Sequence, residues 1–216
     1  MRSKNLVIYG ASGHAKVIAD IIEKRGDTLL AFVDDDRALW TEQLLGYRIW
    51  KGMDELIEQS KKGSFSVIIG IGINHTRRIL SDRLEKAGIA FGTAIHPSAV
   101  IGRDVIIEEG TVIMANAVIN PCTSIGNHCI INTGVTVDHD NVIGDFVHLS
   151  PGVHLGGTVQ IGAMSWVGLG ARVINNIIIG KNVIVGAGST VIRNVGANWI
   201  VVGTPATYLK ENPNAF

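Results

Sequence analysis

The sequence predicts two units in series: a small parallel α/β domain over residues 1–94, then a β-solenoid of hexapeptide repeats with a short tail over residues 95–216. Two periodicities carry this reading. In the first ninety residues, short apolar runs alternate with helix-period segments, as in strand–helix units that share one parallel sheet. From Ile95 an aliphatic residue then returns every six positions, through Ile101, Ile107, Ile113, Ile119, Ile125 and Ile131 and on to Val185 and Val191, without a miss. A period of six fits neither the 3.6 of a helix nor the 2 of a strand. It marks a stacked hexapeptide repeat.

In the first unit, Leu6–Tyr9 reads as a buried strand and Gly10-Ala-Ser-Gly-His14 as the turn after it. A helix follows, with Val17, Ile18, Ile21 and Ile22 on one face. Leu29–Val33 is a second strand, ending in Asp34-Asp35-Asp36. Met53–Lys61 fits a short helix closed by Gly63. Ser66–Ile69 is a third strand, and Gly70-Ile-Gly72-Ile-Asn74 is the loop beyond it. Asn74 is placed to cap a helix that carries Ile79, Leu80 and Leu84 and stops at Gly88. His96-Pro97 marks the junction with the second unit.

There each hexad supplies one short strand and one corner. Three hexads close a triangular coil, so residues eighteen apart stack. The aliphatic at each step points inward, and the position four residues later is small or β-branched, as at Val135, Val147, Val153 and Ala171. Glycine often follows the step, as at Gly102, Gly126, Gly144, Gly162 and Gly168, where it is expected to take the positive φ of a tight corner. Such repeats bury their apolar face only against stacked neighbours.

Composition narrows the function. Nineteen cationic and nineteen acidic side chains cancel, which gives a polyanion or membrane surface no handle and argues against a nucleic-acid partner. Met1–Leu6 lacks the regions of a signal peptide. The longest apolar runs, such as Val67–Ile73, are too short to span a bilayer. Cys122 and Cys129 fall on different faces of the prism, as reduced thiols of a cytoplasmic protein would.

The three loops Gly10–His14, Asp34–Asp36 and Gly70–Asn74 all follow strands, where ligands of parallel sheets bind. Glycines there let backbone N–H groups approach phosphate at a helix N-terminus. Tyr9-Gly-Ala-Ser-Gly-His14, Phe32-Val-Asp-Asp35 and Ile71-Gly-Ile-Asn74 followed by Arg77, joined to the hexads, resemble the bacterial nucleotide-sugar acetyltransferases of the left-handed parallel β-helix superfamily. That family includes the PglD-like enzymes acting on UDP-linked 4-amino-sugars, the GDP-perosamine N-acetyltransferases and the NeuD-type sialic acid O-acetyltransferases. The resemblance implies a Rossmann-like first domain that holds the nucleotide-sugar through Ser12, Gly13, His14, Asp34, Asp35, Gly72 and Asn74. It also implies the left hand of the solenoid and an acetyl-CoA-dependent N-acetylation of a nucleotide-linked 4-amino-4,6-dideoxy sugar for surface glycan synthesis. The enzyme would be a cytoplasmic homotrimer without a metal.

Acetyl transfer to an amine needs a base, and histidine suits the task near neutral pH. His128, His139, His148 and His154 all fall at outward positions of the hexads. His139 stands apart because Asp138 and Asp140 flank it, and a carboxylate beside an imidazole fixes its tautomer. Adjacent strand residues point to opposite sides, so the spacing leaves open which aspartate reaches the ring. The resemblance maps the catalytic base onto His139 and its partner onto Asp140, and sets Asn132 beside the attacking amine. It places His148, Gly157, Gly168 and Leu169 along an acetyl-CoA groove between subunits, where backbone N–H groups polarise the thioester carbonyl. The eighteen-residue spacing stacks His148 on Trp166.

Three other readings compete. O-acetylation of sialic acid or a related sugar would use the same base. A γ-class carbonic anhydrase shares the solenoid but binds zinc through three histidines, and it leaves the α/β domain and Asp138-His139-Asp140 unexplained. A non-catalytic trimer that binds nucleotide-sugar is set against by the intact Asp-His-Asp sequence.

Overall fold

The computed structural model describes residues 4–213; Met1–Ser3, part of the segment read above for a signal peptide, and Asn214–Phe216 of the tail lie outside the described residues. The chain divides between Pro97 and Ser98 into two compact units.

The first unit is a sheet with helices. Its strands are β1 (Asn5–Tyr9), β2 (Thr28–Asp34), β3 (Gln43–Leu44), β4 (Tyr47–Lys51) and β5 (Ser66–Ile69), and its helices are α1 (Gly13–Lys24), α2 (Gly52–Ser60) and α3 (Asn74–Lys86). The sheet order is β3-β4-β2-β1-β5, with β4, β2, β1 and β5 parallel and β3 antiparallel at the edge. The chain thus leaves β1 toward β2 on one side and returns to pair β5 on the other. That reversal is the topological switch point at which such sheets bind ligands. The β3–β4 hairpin went unpredicted, although Leu45-Gly46 turns with positive φ at both residues, the demand of a type I′ turn.

Two helix faces differ from the predicted ones. On α1 the buried stripe runs through Ala15, Ile18, Ala19 and Ile22, and Val17 lies beyond its edge at 41% exposure. On α3 the inner stripe is Arg77, Leu80, Ser81 and Leu84, so Ile79 faces outward at 45% exposure. A buried arginine occupies the place given to an aliphatic. The cap of α3 is Ile73, and Asn74 is its first helical residue.

The second unit is a three-faced solenoid. Two-residue strands recur every six residues from Val100–Ile101 to Thr190–Val191, each hydrogen-bonded in parallel to the strand eighteen residues away. The inward aliphatics are buried from Ile113 onward, whereas Ile101, on the first coil, is 36% exposed. From Ile101 to Val185 every corner carries a positive φ, but three residues after the inward aliphatic: Asp104, Asn116, Cys122, His128, Asp140, Phe146 and their equivalents. The glycines directly after the step do not take it, contrary to expectation. They are glycines because the next coil passes too close. A Cβ would lie 2.7 Å from Ala163 N at Gly144, 2.4 Å from Lys181 N at Gly162 and 2.6 Å from Val185 O at Gly168. The chain closes in a hairpin of Trp199–Val202 and Thr207–Glu211.

Candidate active site

The three predicted loops share one edge of the first sheet, because β2, β1 and β5 are adjacent and parallel. Gly10 N donates to Val33 O and Gly70 N to Tyr9 O, both at 2.7 Å, which ties the strand ends together. Gly10 has φ +115°, and a Cβ there would sit 3.0 Å from Gly70 O, so both conformation and space demand glycine. A cleft of ≈ 320 Å³ opens there, lined by Tyr9, Gly10, Asp34, Asp35, Ile71, Thr76, Ile79, Leu80 and Arg83.

Asp34 and Asp35 act differently within it. The Asp34 carboxylate accepts from Ala11 N and Asp36 N, both at 2.9 Å, and so braces the turn into α1. Asp35 is exposed, and its Oδ1 accepts from the Tyr9 hydroxyl at 2.8 Å. Burial first, then the Asp35 carboxylate, raises the Tyr9 pKa and keeps its hydroxyl protonated. Asp35 is thus an exposed carboxylate bound through one oxygen to Tyr9, while both oxygens of Asp34 are engaged with its own chain.

Arg77 organises the third loop. Its guanidinium donates to the carbonyls of Ile71 and Gly72 at 3.0 and 3.1 Å and to Asn74 Oδ1 at 2.9 Å. Asn74, expected as a ligand contact, is buried and holds its own loop together. Ser12 and Gly13 are exposed at the start of α1. His14 is partly buried with Nε2 enclosed, and burial first, then the Arg77 charge, lowers its pKa to about 4. It is a neutral imidazole at pH 7. None of Ser12, Gly13, His14, Gly72 and Asn74 lines the cleft, whereas Thr76, Ile79 and Arg83 do. Sequence reasoning missed these three because it read α3 as a packing helix.

On the solenoid, His139 stands exposed at a corner, and its Nδ1 lies 2.7 Å from Asp140 Oδ2. The question of the two aspartates is answered by the backbone. Asp140 occupies the left-handed corner position with φ 58°, which swings its side chain back to the imidazole. Asp138 turns the other way, and its Oδ1 accepts from His139 N and from Asn120 Nδ2, each at 2.9 Å. The Asp140 hydrogen bond outweighs partial desolvation and raises the His139 pKa above 6.5. With Nδ1–H donated to Asp140, Nε2 carries the ring's lone pair. Gly157 forms the floor beneath the ring, since a Cβ there would be 2.7 Å from both Cε1 and Nε2 of His139.

His148 is buried, stacked on Trp166 with centroids 5.6 Å apart and ring planes 3° from parallel. Its Nε2 lies 3.2 Å from Asn132 Nδ2, while Asn132 Oδ1 accepts from Thr133 N. An outward position in the hexad does not make every solenoid histidine a surface residue, for His128 is also buried, stacked on Phe146. The Gly168 N–H donates to Val185 O at 2.7 Å and is not free to polarise a carbonyl, although Leu169 beside it is 59% exposed. Among the described residues no group of three or more His, Cys, Asp or Glu side chains is arranged to hold a metal ion, and no helix is long and apolar enough to cross a membrane.

Known proteins combine these features. Residues 5–84 match the PglD N-terminal domain, and residues 104–139 match the bacterial transferase hexapeptide repeat. A perosamine N-acetyltransferase from Caulobacter crescentus, solved as a histidine-substituted form with CoA and GDP-perosamine, is 36% identical, covers 96% of this chain and 97% of its own, and superposes with a TM-score of 0.92. The chain belongs to the hexapeptide-repeat nucleotide-sugar N-acetyltransferases. The acetyltransferase domain of PglB from Neisseria gonorrhoeae FA1090, solved with acetyl coenzyme A, belongs with this family too. It is 32% identical, covers 96% of this chain and all of its own (100%), and has a TM-score of 0.89. The UDP-N-acetylbacillosamine N-acetyltransferase of Bacillus subtilis (strain 168) is 44% identical over 111 residues, half of this chain (50%) and half of that protein (50%). Family membership gives the fold class in full: an α/β domain with a small parallel sheet, then a left-handed parallel β-helix of hexapeptide repeats.

Proposed function

We propose that this chain transfers the acetyl group of acetyl-CoA to the amine of a nucleotide-linked 4-amino-4,6-dideoxy sugar, with His139 as general base. The observation that carries the reading is the 2.7 Å contact between His139 Nδ1 and Asp140 Oδ2 on a side chain that is 52% exposed. In this mechanism the neutral amine attacks the thioester carbonyl while His139 Nε2 takes the proton that the nitrogen must lose. Asp140 stabilises the imidazolium as it forms. The tetrahedral intermediate expels the CoA thiolate, and the imidazolium returns its proton to that sulfur. The relatives support the substrates, since the Caulobacter crescentus protein was solved with CoA and GDP-perosamine and the Neisseria gonorrhoeae domain with acetyl coenzyme A.

The first unit recognises the nucleotide-sugar. Asp35 accepts a hydrogen bond from ribose or base, Ser12 and Gly13 present the N-terminal N–H groups of α1 to phosphate, and His14 and Gly72 complete the contact. Asn132 orients the amine, and His148, Gly157 and Leu169 lie along the acetyl-CoA path. The assembly is a homotrimer with acetyl-CoA bound between subunits, a reading supported by exposed Val142, Trp166, Leu169, Ile174 and Ile178 on the solenoid. Light scattering that finds a monomer at micromolar concentration would remove that part. Because acetyl-CoA is made and used inside the cell, the reaction is cytoplasmic.

The experiment is CoA release measured against a panel of UDP- and GDP-linked 4-amino-sugars and free sialic acid. Turnover of one nucleotide-linked amino-sugar is expected. Preference for free sialic acid over every nucleotide-sugar would replace N-acetylation by O-acetylation, and no CoA release with any acceptor would favour a non-catalytic binder.

A further inference from the structure

The residues that precede each strand of one solenoid face are Val105, Thr123, Asn141, Val159 and Ile177, and they turn their side chains into the coil. Val159 and Ile177 are buried, so an aliphatic side chain fits this column, yet Asn141 is fully buried in it. Its Oδ1 is enclosed without a hydrogen-bond partner among the described residues. A carboxamide kept there against that penalty calls for an explanation.

The amide nitrogen supplies one. Asn141 Nδ2 lies 2.7 Å from Asp138 O, 3.2 Å from His139 O and 3.0 Å from Gly156 O. Tying one coil to the next needs only a single donor. Thr111 Oγ1 reaches Gly126 O at 2.7 Å and Ser165 Oγ reaches Gly180 O at 2.9 Å in the equivalent manner. Asn141 adds to this tie the two carbonyls that flank the His139 residue. The same carbonyls are held a second time, Asp138 O by Thr123 Oγ1 at 3.0 Å and His139 O by Thr158 N at 2.9 Å. Gly156 leads directly into Gly157, the floor of the imidazole.

We propose that Asn141 is a positioning residue of the acetyl-transfer reaction, locking the peptide that carries His139 to the Gly156–Gly157 floor beneath its ring. The inference rests on His139 being the base. Loss of the lock leaves the base attached but lets its ring shift relative to the attacking amine, and a misplacement of this kind costs about 10- to 100-fold in rate.

The test compares Asn141→Val, which matches Val159 in shape, with Asn141→Thr, which keeps one donor as Thr123 does. Steady-state kinetics, thermal unfolding and an NMR titration of the His139 ring are read on each. In Asn141→Val, kcat falls about 10- to 100-fold with both KM values and the unfolding temperature maintained. The His139 midpoint also moves down as Asp140 loosens from the ring. Asn141→Thr recovers part of kcat. Wild-type kcat in Asn141→Val overturns the proposal, as does a loss of kcat that follows a drop in unfolding temperature and is not recovered by threonine. His139→Ala, run beside them, keeps the two readings apart. Retained turnover there removes the base, whereas an inactive His139→Ala with a fully active Asn141→Val removes only the positioning role.

Discussion

His14 should titrate far below an ordinary histidine, and the first unit should lose stability in acid because of it. Burial of the ring, and then the nearby Arg77 charge, lower its folded-state pKa from 6.5 to about 4. Since the folded value lies below the unfolded one, the unfolded chain takes up the proton first. The contribution to stability is therefore whole above pH 6.5, erodes as pH falls toward 4, and levels out below that. At pH 4.5 a separation of this size corresponds to about 2.5 kcal/mol, and the ring's partial exposure brings it nearer to about 2 kcal/mol. The perturbation is His14→Gln, which keeps a neutral polar side chain and deletes the titration. Urea unfolding, followed through the backbone NMR signals of β1 and β5, is compared between wild type and variant at pH 7 and pH 4.5. Wild type should lose about 2 kcal/mol more than the variant over that interval, and the His14 ring protons should show a midpoint near pH 4. A midpoint at or above 6.5, or equal losses in the two proteins, would refute the reasoning.

Three further outcomes follow from the site. His139→Ala should lower kcat by about 10²- to 10⁴-fold while calorimetry shows acetyl-CoA binding intact; near-normal turnover would mean that the amine attacks unaided. In wild type, activity should rise with pH through the elevated His139 pKa, because only the neutral ring accepts a proton. Asp140→Asn should then shift that acid limb of the kcat/KM profile to lower pH and lose less rate than His139→Ala; an unmoved limb would assign it to another group. Asp35→Ala should reduce kcat/KM for the nucleotide-sugar by up to about a hundredfold, or about 1–3 kcal/mol for one unpaired polar group, and leave the KM for acetyl-CoA alone. Equal damage to both substrates would point to disruption of the Tyr9–Asp35 contact and the loop.

Much of the fold was legible because its signals are local and repeated. The inward aliphatics define the hexad without knowledge of any contact, and Leu6–Tyr9, Leu29–Val33 and Ser66–Ile69 announce their strands by apolar runs. What stayed hidden depends on neighbours distant in sequence. The glycines after each step read as conformational necessities, but their reason is the coil that passes seventeen to nineteen residues later. Arg77 sits on an apolar stripe by phase, so only the carbonyls of Ile71 and Gly72 explain it. Thr76, Ile79 and Arg83 belong to the cleft through their height on α3 beside β1 and β5, which no period in the sequence records. The His139 dyad shows both limits. Its residues stand out by type, but the choice between Asp138 and Asp140 required a backbone angle.

That angle connects the architecture to the chemistry. A hexapeptide corner holds one residue in the left-handed region, a conformation that costs a non-glycine residue about 1 kcal/mol. One of the three corners adopts glycine there at Gly134, Gly152, Gly170 and Gly188 and avoids that cost. The corner series that contains Asp140 does not, for Asp104, Cys122, Thr158 and Asn176 share its positive φ. At most of these positions the side chain merely tops a corner. At Asp140 the same geometry overcomes the rule that neighbours on a strand point apart, and it brings a carboxylate onto the ring of the residue before it. Glycine at this position would relieve the backbone and leave His139 without its partner. The corner thus lets two consecutive side chains, His139 and Asp140, meet at 2.7 Å, and the strain accepted along the whole column becomes useful at one coil.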